Sequence, residues 1–196
     1  MFAPAVLLRC AASPSAVRRR ILVCLVLAGA AHAFAANDPV SVEYQVKAAY
    51  LFRMAEYIEW PSSAFAGPGE PIRIVVVGAD PLVDILVATL AGRKANERSF
   101  VVEPSNGGDE VEHAHILFVA RREAGAAKKL IGALKSRPVL TITEMPGGLD
   151  SGSVVNFVPV DNRIGFEISL GTAERNGLRL SSRLLAVARR VEKGAP

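Results

Sequence analysis

The stretch Ile72-Arg-Ile-Val-Val-Val-Gly-Ala-Asp-Pro81 decides the fold class of this 196-residue chain. Its first six residues form a mainly β-branched run that stops at Gly78, which is the pattern of a strand buried on both faces. Asp80 and Pro81 then suit the N-cap and the first position of a helix, and apolar residues at helical spacing extend that helix to Gly92. A buried strand followed at once by a helix is typical of an α/β protein.

Strand and helix patterns continue to alternate after this unit. The sequence predicts strands over 99–102, 116–119, 139–142, 154–158 and 163–168, and helices over 123–134, over 171–176 and from Ser181 or Ser182 through Val191. The last two strands are joined by a tight turn at Asp161-Asn162 and form an antiparallel pair. We therefore expect a single-domain α/β sandwich with a mostly parallel central sheet flanked by helices and an antiparallel pair near the C-terminal end.

The segment before the first strand, residues 41–60, predicts a helix that is apolar on two sides. The first stripe comprises Tyr44, Ala48, Leu51, Ala55 and Ile58, and the second comprises Val42, Val46, Ala49, Tyr50 and Tyr57 with Arg53 among them. Such a helix normally packs on both sides, so we expect one side to face the core and the other to face a partner. A second copy of the chain, giving a homodimer, would also suit that side.

The N-terminal segment has the features of a secretory signal peptide. Three arginines at 18–20 precede an apolar run over 21–30, and small residues follow it. Because the run is too short to span a bilayer, we expect cleavage within 33–36. The expected parts are therefore a signal peptide over 1–35 and an exported domain over 36–196, in the periplasm of a bacterium.

Charge and cysteine content narrow the classes of function. The chain carries 23 Lys and Arg against 19 Asp and Glu, but residues 1–33 hold four arginines and no acid. The remainder is balanced, which argues against nucleic-acid binding. Both cysteines, Cys10 and Cys24, lie in the leader, so the exported domain has no disulfide, thiolate metal site or cysteine nucleophile.

The sequence contains no strong enzymatic motif. No Gly-x-Ser-x-Gly elbow or Gly-Lys-Ser/Thr phosphate loop occurs, and only one glycine, Gly78, lies in the first strand-to-helix turn. His113 and His115 share one face of a strand but lack a nearby third ligand, so we expect partly exposed histidines and no metal. The sequence therefore predicts neither a cofactor nor catalytic residues.

Four residues on or beside the second helix side are the predicted contacts for a protein partner: Tyr50, Arg53, Tyr57 and Trp60. Tyrosine, tryptophan and arginine are enriched among residues that dominate binding energy at interfaces. For Trp60 two interpretations remain open, because it can either cap the helix in a buried position or anchor a partner.

A small-molecule site is the alternative prediction. The loops that follow parallel strands are the usual place for a ligand cleft in α/β proteins. The candidate ligand-binding residues are Asp80 in the first of these loops and a potential anion clamp of Arg163, Arg179 and Arg183.

Four motifs resemble those of the YfiR family of periplasmic proteins. The segment Tyr44-Gln-Val-Lys-Ala-Ala-Tyr-Leu-Phe-Arg-Met-Ala-Glu-Tyr-Ile-Glu-Trp-Pro61 is similar to the family's opening signature. Residues 74–78 and 115–119 resemble two of its strands, and 166–168 with 177–185 resemble its closing signature. The resemblance extends over residues 41 to about 191.

This resemblance implies a regulatory protein. It implies a periplasmic protein without catalytic residues or cofactor, which represses a membrane-bound GGDEF diguanylate cyclase by binding its periplasmic part. Loss of that repression would raise cyclic di-GMP and favour biofilm formation. The alternative function is a small-molecule sensor module that acts with another membrane signalling protein.

Overall fold

A computed structural model describes residues 39–161 and 163–194, so the predicted signal peptide and its cleavage site lie outside the described residues. Elements are numbered here in chain order. The strands are β1 (Ile58–Glu59), β2 (Ile72–Val77), β3 (Phe100–Ser105), β4 (Ile116–Val119), β5 (Leu140–Thr143), β6 (Val155–Val160), β7 (Arg163–Ser169), β8 (Arg179–Leu180) and β9 (Arg190–Glu192). The helices are α1 (Pro39–Tyr57), α2 (Asp80–Leu90), α3 (Ala124–Ala133), α4 (Leu170–Arg175) and α5 (Ser182–Val187), with 3₁₀ turns at Ser62–Ala64, Asp109–His113 and Arg121–Glu123.

Seven of the described strands form one sheet in the order β3-β2-β4-β5-β6-β7-β9. The five strands from β3 to β6 pair in parallel, whereas β6 and β7 are antiparallel and β9 runs parallel to β7. The predicted fold class, a mixed α/β protein with a mostly parallel sheet and an antiparallel pair, is confirmed.

The central strands β2 and β4 are buried on both faces, which explains their nearly continuous apolar sequences. Alternate residues of β2 belong to two separate hydrophobic clusters, with Ile72, Ile74 and Val76 in one and Val75 and Val77 in the other. The first cluster includes apolar residues of α1 and α2, and the second includes apolar residues of α3. Because side chains alternate along a strand, a strand covered on both faces favours apolar residues at every position of its middle.

The first helix ends earlier than the sequence predicts. Helix α1 stops at Tyr57, and Ile58 and Glu59 pair instead with Leu180 and Arg179 in a small antiparallel sheet. Pro61 disfavours helical backbone just before it, and the pairing with β8 supplies hydrogen bonds in place of a last helical turn. The prediction of helix through residue 60 was therefore wrong for its last three residues.

The last helix is also shorter than predicted. Helix α5 begins after Ser181, whose hydroxyl accepts a hydrogen bond from the Arg183 amide, and it ends at Val187. The residues beyond it form β9, which pairs with β7 and places Arg190 3.0 Å from the carboxylate of Glu167. Strand β7 has an edge that β6 leaves unpaired, and β9 pairs with this edge. The pairing outweighs the local sequence pattern, which favours a helix.

The loop between β2 and α2 differs from the prediction in one detail. Helix α2 begins at Asp80, Ala79 occupies the N-cap position, and no side-chain hydrogen bond caps the helix. The Asp80 side chain is instead 77% exposed and lies 3.8 Å from the guanidinium of Arg122. The prediction of Asp80 as the N-cap was therefore wrong, although the helix itself is present as predicted.

In the part of the chain that the structure describes, no helix is both long enough and apolar enough to cross a lipid bilayer.

Candidate functional site

Helix α1 has a buried side and an outward side. Four of its buried residues belong to the first hydrophobic cluster: Ala48, Leu51, Met54 and Ala55. The outward face of α1 is formed by Val42, Val46, Ala49 and Arg53, which recur at helical spacing and are all exposed. Two valines on this face, Val42 at 42% and Val46 at 38% exposure, leave an apolar stripe in solvent.

Two of the predicted partner contacts have different environments. The Arg53 side chain is 62% exposed, and its guanidinium lies 2.8 Å from the carboxylate of Glu56. Tyr50 is half-buried, its hydroxyl donates a hydrogen bond to the Ile164 carbonyl at 3.3 Å, and its ring packs edge-on against Phe166. Arg53 therefore lies on the outward face of α1, whereas Tyr50 flanks it and anchors the helix to the sheet.

The other two predicted contacts lie near the C-terminal end of α1. Tyr57 is half-buried against the first cluster, and its carbonyl accepts a hydrogen bond from the Ser181 amide at 2.9 Å. Trp60 is half-buried and packs edge-on against Phe65, with 6.4 Å between ring centroids. Its indole N–H is buried without a hydrogen-bond partner among the described residues. Trp60 thus combines a packed ring with an unsatisfied donor.

A buried ionic cluster joins α1 to the carboxyl end of the sheet. Lys47 is 3% exposed, and its ammonium contacts the carboxylates of Glu43 and Glu144. Glu144 directly follows β5, and it accepts a hydrogen bond from the Arg121 amide at 3.1 Å. The Arg121 guanidinium in turn donates to the Glu144 carbonyl at 3.1 Å. These contacts connect α1 with the ends of β4 and β5.

The ionic cluster keeps Lys47 charged. Burial lowers the pKa of Lys47, but the hydrogen bonds and charges of Glu144 and Glu43 raise it more, so that it lies above its ordinary value. A cavity of about 370 Å³ lies beside this cluster, and Arg121, Tyr44 and Phe157 are among the residues that line it. The Lys47–Glu144 pair could not be predicted from local sequence patterns, because 97 positions separate the two residues.

The predicted ligand-binding residues lie on four separate elements. Asp80 begins α2, Arg163 begins β7, Arg179 begins β8 and Arg183 lies in α5, and all four are exposed. Arg163 lines a cavity of about 400 Å³ together with Arg189. The structure therefore does not gather the four residues into one pocket.

The two histidines differ more than the sequence suggests. His113 is exposed, whereas His115 is only 5% exposed and stacks on Phe65 with 4.4 Å between ring centroids. The Nδ1 atom of His115 accepts a hydrogen bond from the Arg73 amide at 3.1 Å, so that Nε2 donates to the Ala64 carbonyl, also at 3.1 Å. The prediction of partial exposure was wrong for His115, because its hydrogen bonds allow the ring to enter the core.

Within residues 39–161 and 163–194, no group of three or more His, Cys, Asp or Glu side chains is arranged to hold a metal ion.

Because the His115 imidazole is buried, we expect the free energy of unfolding to depend on pH. Burial lowers the pKa of His115 below its ordinary value of 6.5, because the charged ring loses solvation. The unfolded chain therefore binds a proton more readily than the folded chain. This contribution to stability is complete above about pH 6.5 and is lost as the pH falls toward the folded-state pKa.

We expect the free energy of unfolding to fall between pH 7 and pH 5, measured by urea denaturation at several pH values. H115Q should remove much of this fall, and the exposed control H113Q should retain it. An unchanged pH dependence in H115Q would show that other groups cause the effect.

Comparisons with known proteins identify the family of this chain and a solved structure with a similar fold. Residues 44–189 match the model of a family described as YfiR/HmsC-like. A crystal structure of a conserved domain protein from Vibrio cholerae is similar in fold, with a TM-score of 0.51 and 13% sequence identity. The similarity covers 74% of this chain and 60% of that chain, so this chain spans less than two thirds of the length of the solved protein. Lys47, Arg121 and Glu144 of the buried ionic cluster lie in the matched region, whereas Glu43 directly precedes it.

Proposed function

Because the chain belongs to the YfiR/HmsC-like family, we propose that it is a non-enzymatic periplasmic regulator that binds and represses a membrane-bound GGDEF diguanylate cyclase. In this proposal residues 1–35 direct export and are removed, and residues 36–196 form the periplasmic domain. Repression lowers cyclic di-GMP in the cell. The partner is the periplasmic part of the cyclase or of a related membrane sensor.

The observation that supports this proposal most is the outward face of α1. Val42 and Val46 expose apolar surface beside Arg53, in the helix that carries the family's opening signature. An ion pair as exposed as that of Arg53 with Glu56 contributes little to stability, so Arg53 is available to a carboxylate of a partner. Apolar side chains around an arginine are a common composition of binding surfaces.

We propose that Tyr50, Tyr57 and Trp60 form the flank of this binding surface. Each is half-buried, so each offers part of its ring to a partner while the rest holds α1 in place. Aromatic side chains that are already packed lose little conformational entropy on binding, which favours them as contacts.

The buried polar groups support a non-enzymatic function. Lys47 and Glu144 are bound to each other, and both nitrogens of His115 make hydrogen bonds within the core. A catalytic acid, base or nucleophile has to reach substrate, and these groups are engaged in holding the fold. We propose that the protein acts through differential binding, by making contacts to the inactive state of the cyclase that the active state lacks.

A small-molecule sensor remains the second candidate. The cavity of about 370 Å³ beside Lys47 and Arg121 favours it, because charged groups line a concave surface next to α1. In that case a ligand would alter the position of α1 and thereby modulate the same outward face.

The cellular test is the cyclic di-GMP content of bacteria that lack the gene. We expect deletion to raise cyclic di-GMP several-fold, because the cyclase is no longer held inactive. Re-expression of the wild-type chain should restore the low level, whereas a chain without residues 1–35 should not, because it stays in the cytoplasm. Unchanged cyclic di-GMP after deletion in cells that express a membrane-bound cyclase would contradict the proposal.

A further inference from the structure

Strand β3 has an open edge. In the described part of the sheet β3 pairs only with β2, in parallel and with Phe100 opposite Ile72. The Ser99 carbonyl accepts a hydrogen bond from the Ile72 amide at 2.8 Å, and backbone groups alternate in direction along a strand. The N–H and C=O groups of Phe100 and Val102 therefore point away from the sheet. Pro104, which has no N–H, falls in the next outward position and does not interrupt the pairing with β2.

An apolar groove accompanies this edge. A cavity of about 320 Å³ lies between β3 and the C-terminal end of α2, and Val87, Leu90, Phe100 and Val102 contribute its apolar surface. Val87 is 53% exposed although it is fully apolar. A strand added to β3 would direct alternate side chains into this groove and would cover Val87.

The groove has a positively charged rim. Arg93 and Lys94 both line it and are exposed, and neither forms an ion pair within the described residues. The guanidinium carbon of Arg93 lies 5.0 Å from the centre of the Phe52 ring, which holds the charge near the groove. No acidic side chain is among the residues that line this cavity. Charge complementarity therefore favours an acidic occupant.

We propose that the outer edge of β3 binds an extended segment of another protein as an additional strand. The segment is apolar at alternate positions and carries acidic residues at the end nearest Arg93 and Lys94. Backbone hydrogen bonds to Phe100 and Val102 supply affinity, and the groove and its charged rim supply specificity. This surface does not depend on the outward face of α1 and would serve a partner segment whether or not that partner is a cyclase.

The test uses two synthetic eight-residue peptides of alternating valine and threonine, one with two glutamates at its amino end and one with two at its carboxyl end. Amide hydrogen exchange of the exported protein is followed by NMR. At saturation by one of these peptides, we expect the Phe100 and Val102 amides to exchange roughly tenfold more slowly. Lysine in place of the glutamates should weaken binding at least about tenfold. If neither glutamate peptide slows exchange at these two amides, the proposal is wrong.

Two substitutions at Val102 distinguish the contribution of its backbone N–H to binding from that of its side chain. V102P removes the outward N–H without removing a bond to β2 and should abolish binding, whereas V102T keeps the N–H and should bind within about twofold of wild type. K94E should weaken peptide binding about tenfold, because it reverses a charge at the rim of the groove. This variant tests the proposal if V102P does not fold. Equal binding by V102P, or by K94E, would overturn the proposal. A dimer that V102P dissociates in sedimentation would also overturn it, because a second copy would then occupy the edge.

Discussion

Replacing Lys47 with alanine is expected to lower the free energy of unfolding by roughly 3–5 kcal/mol, because it leaves the Glu144 carboxylate buried without its cation. The Glu144 side chain is only 11% exposed, so the carboxylate is poorly solvated once the ammonium is removed. The remaining hydrogen bond from the Arg121 amide satisfies one carboxylate oxygen. A loss of this size is a large part of the 5–15 kcal/mol that usually stabilises a domain. Urea denaturation followed by far-UV circular dichroism measures it.

The matched control is an ion pair on the same helix. Arg53 and Glu56 are also oppositely charged neighbours, but the Arg53 side chain is 62% exposed, so R53A should change stability by less than about 0.5 kcal/mol. The double variant K47M/E144Q removes both buried charges, keeps an acceptor for the Arg121 amide and should recover part of the loss in K47A. If K47A is as stable as R53A, the buried ion pair does not contribute the stability that we expect. If the double variant is no more stable than K47A, the unpaired Glu144 carboxylate is not the cause of the loss.

This ion pair ties α1 to the carboxyl end of the sheet. Lys47 lies on the same side of the helix as Ala48 and Leu51, both fully buried, and it connects that side to the loops after β4 and β5. Together with the apolar contacts of that side, the pair keeps Val42, Val46 and Arg53 on the opposite side of α1, where we propose that a partner binds.

Local patterns in the sequence predicted the centre of the fold well. The β-branched run predicted the bounds of β2, and the Asp80-Pro81 pair predicted the start of α2 to within one residue. Both elements are specified by neighbours in sequence, since burial on two faces requires an unbroken apolar strand and proline starts a helix without losing a hydrogen bond.

Elements that depend on distant partners could not be predicted in this way. The sequence predicts helix at Ile58–Glu59 and at residues 190–191, because their pairing with β8 and β7 leaves no signal in their own sequence. The same holds for the site: the outward stripe of α1 follows from helical spacing, but the Lys47–Glu144 pair joins residues far apart in the chain. The burial of His115 likewise depends on Ala64 and Arg73, which lie on other segments.

The second large effect is expected at the outward face of α1. The double variant V46D/R53E places an acid in the apolar stripe and reverses the charge of its only arginine, while both side chains point to solvent and leave the core intact. Residues that dominate an interface cost about 2 kcal/mol or more when changed, which corresponds to roughly 30-fold in affinity. The matched control V187D/K129E makes the same kinds of change at exposed positions of α5 and α3.

The most direct measurement is the affinity of purified residues 36–196 for the proposed partner, the periplasmic part of a membrane-bound diguanylate cyclase from the same bacterium, by biolayer interferometry. Wild type and V187D/K129E should bind alike, and V46D/R53E should bind at least about 30-fold more weakly while retaining the wild-type circular dichroism spectrum. Failure of the wild-type protein to bind, or equal binding by the folded V46D/R53E variant, would contradict the account.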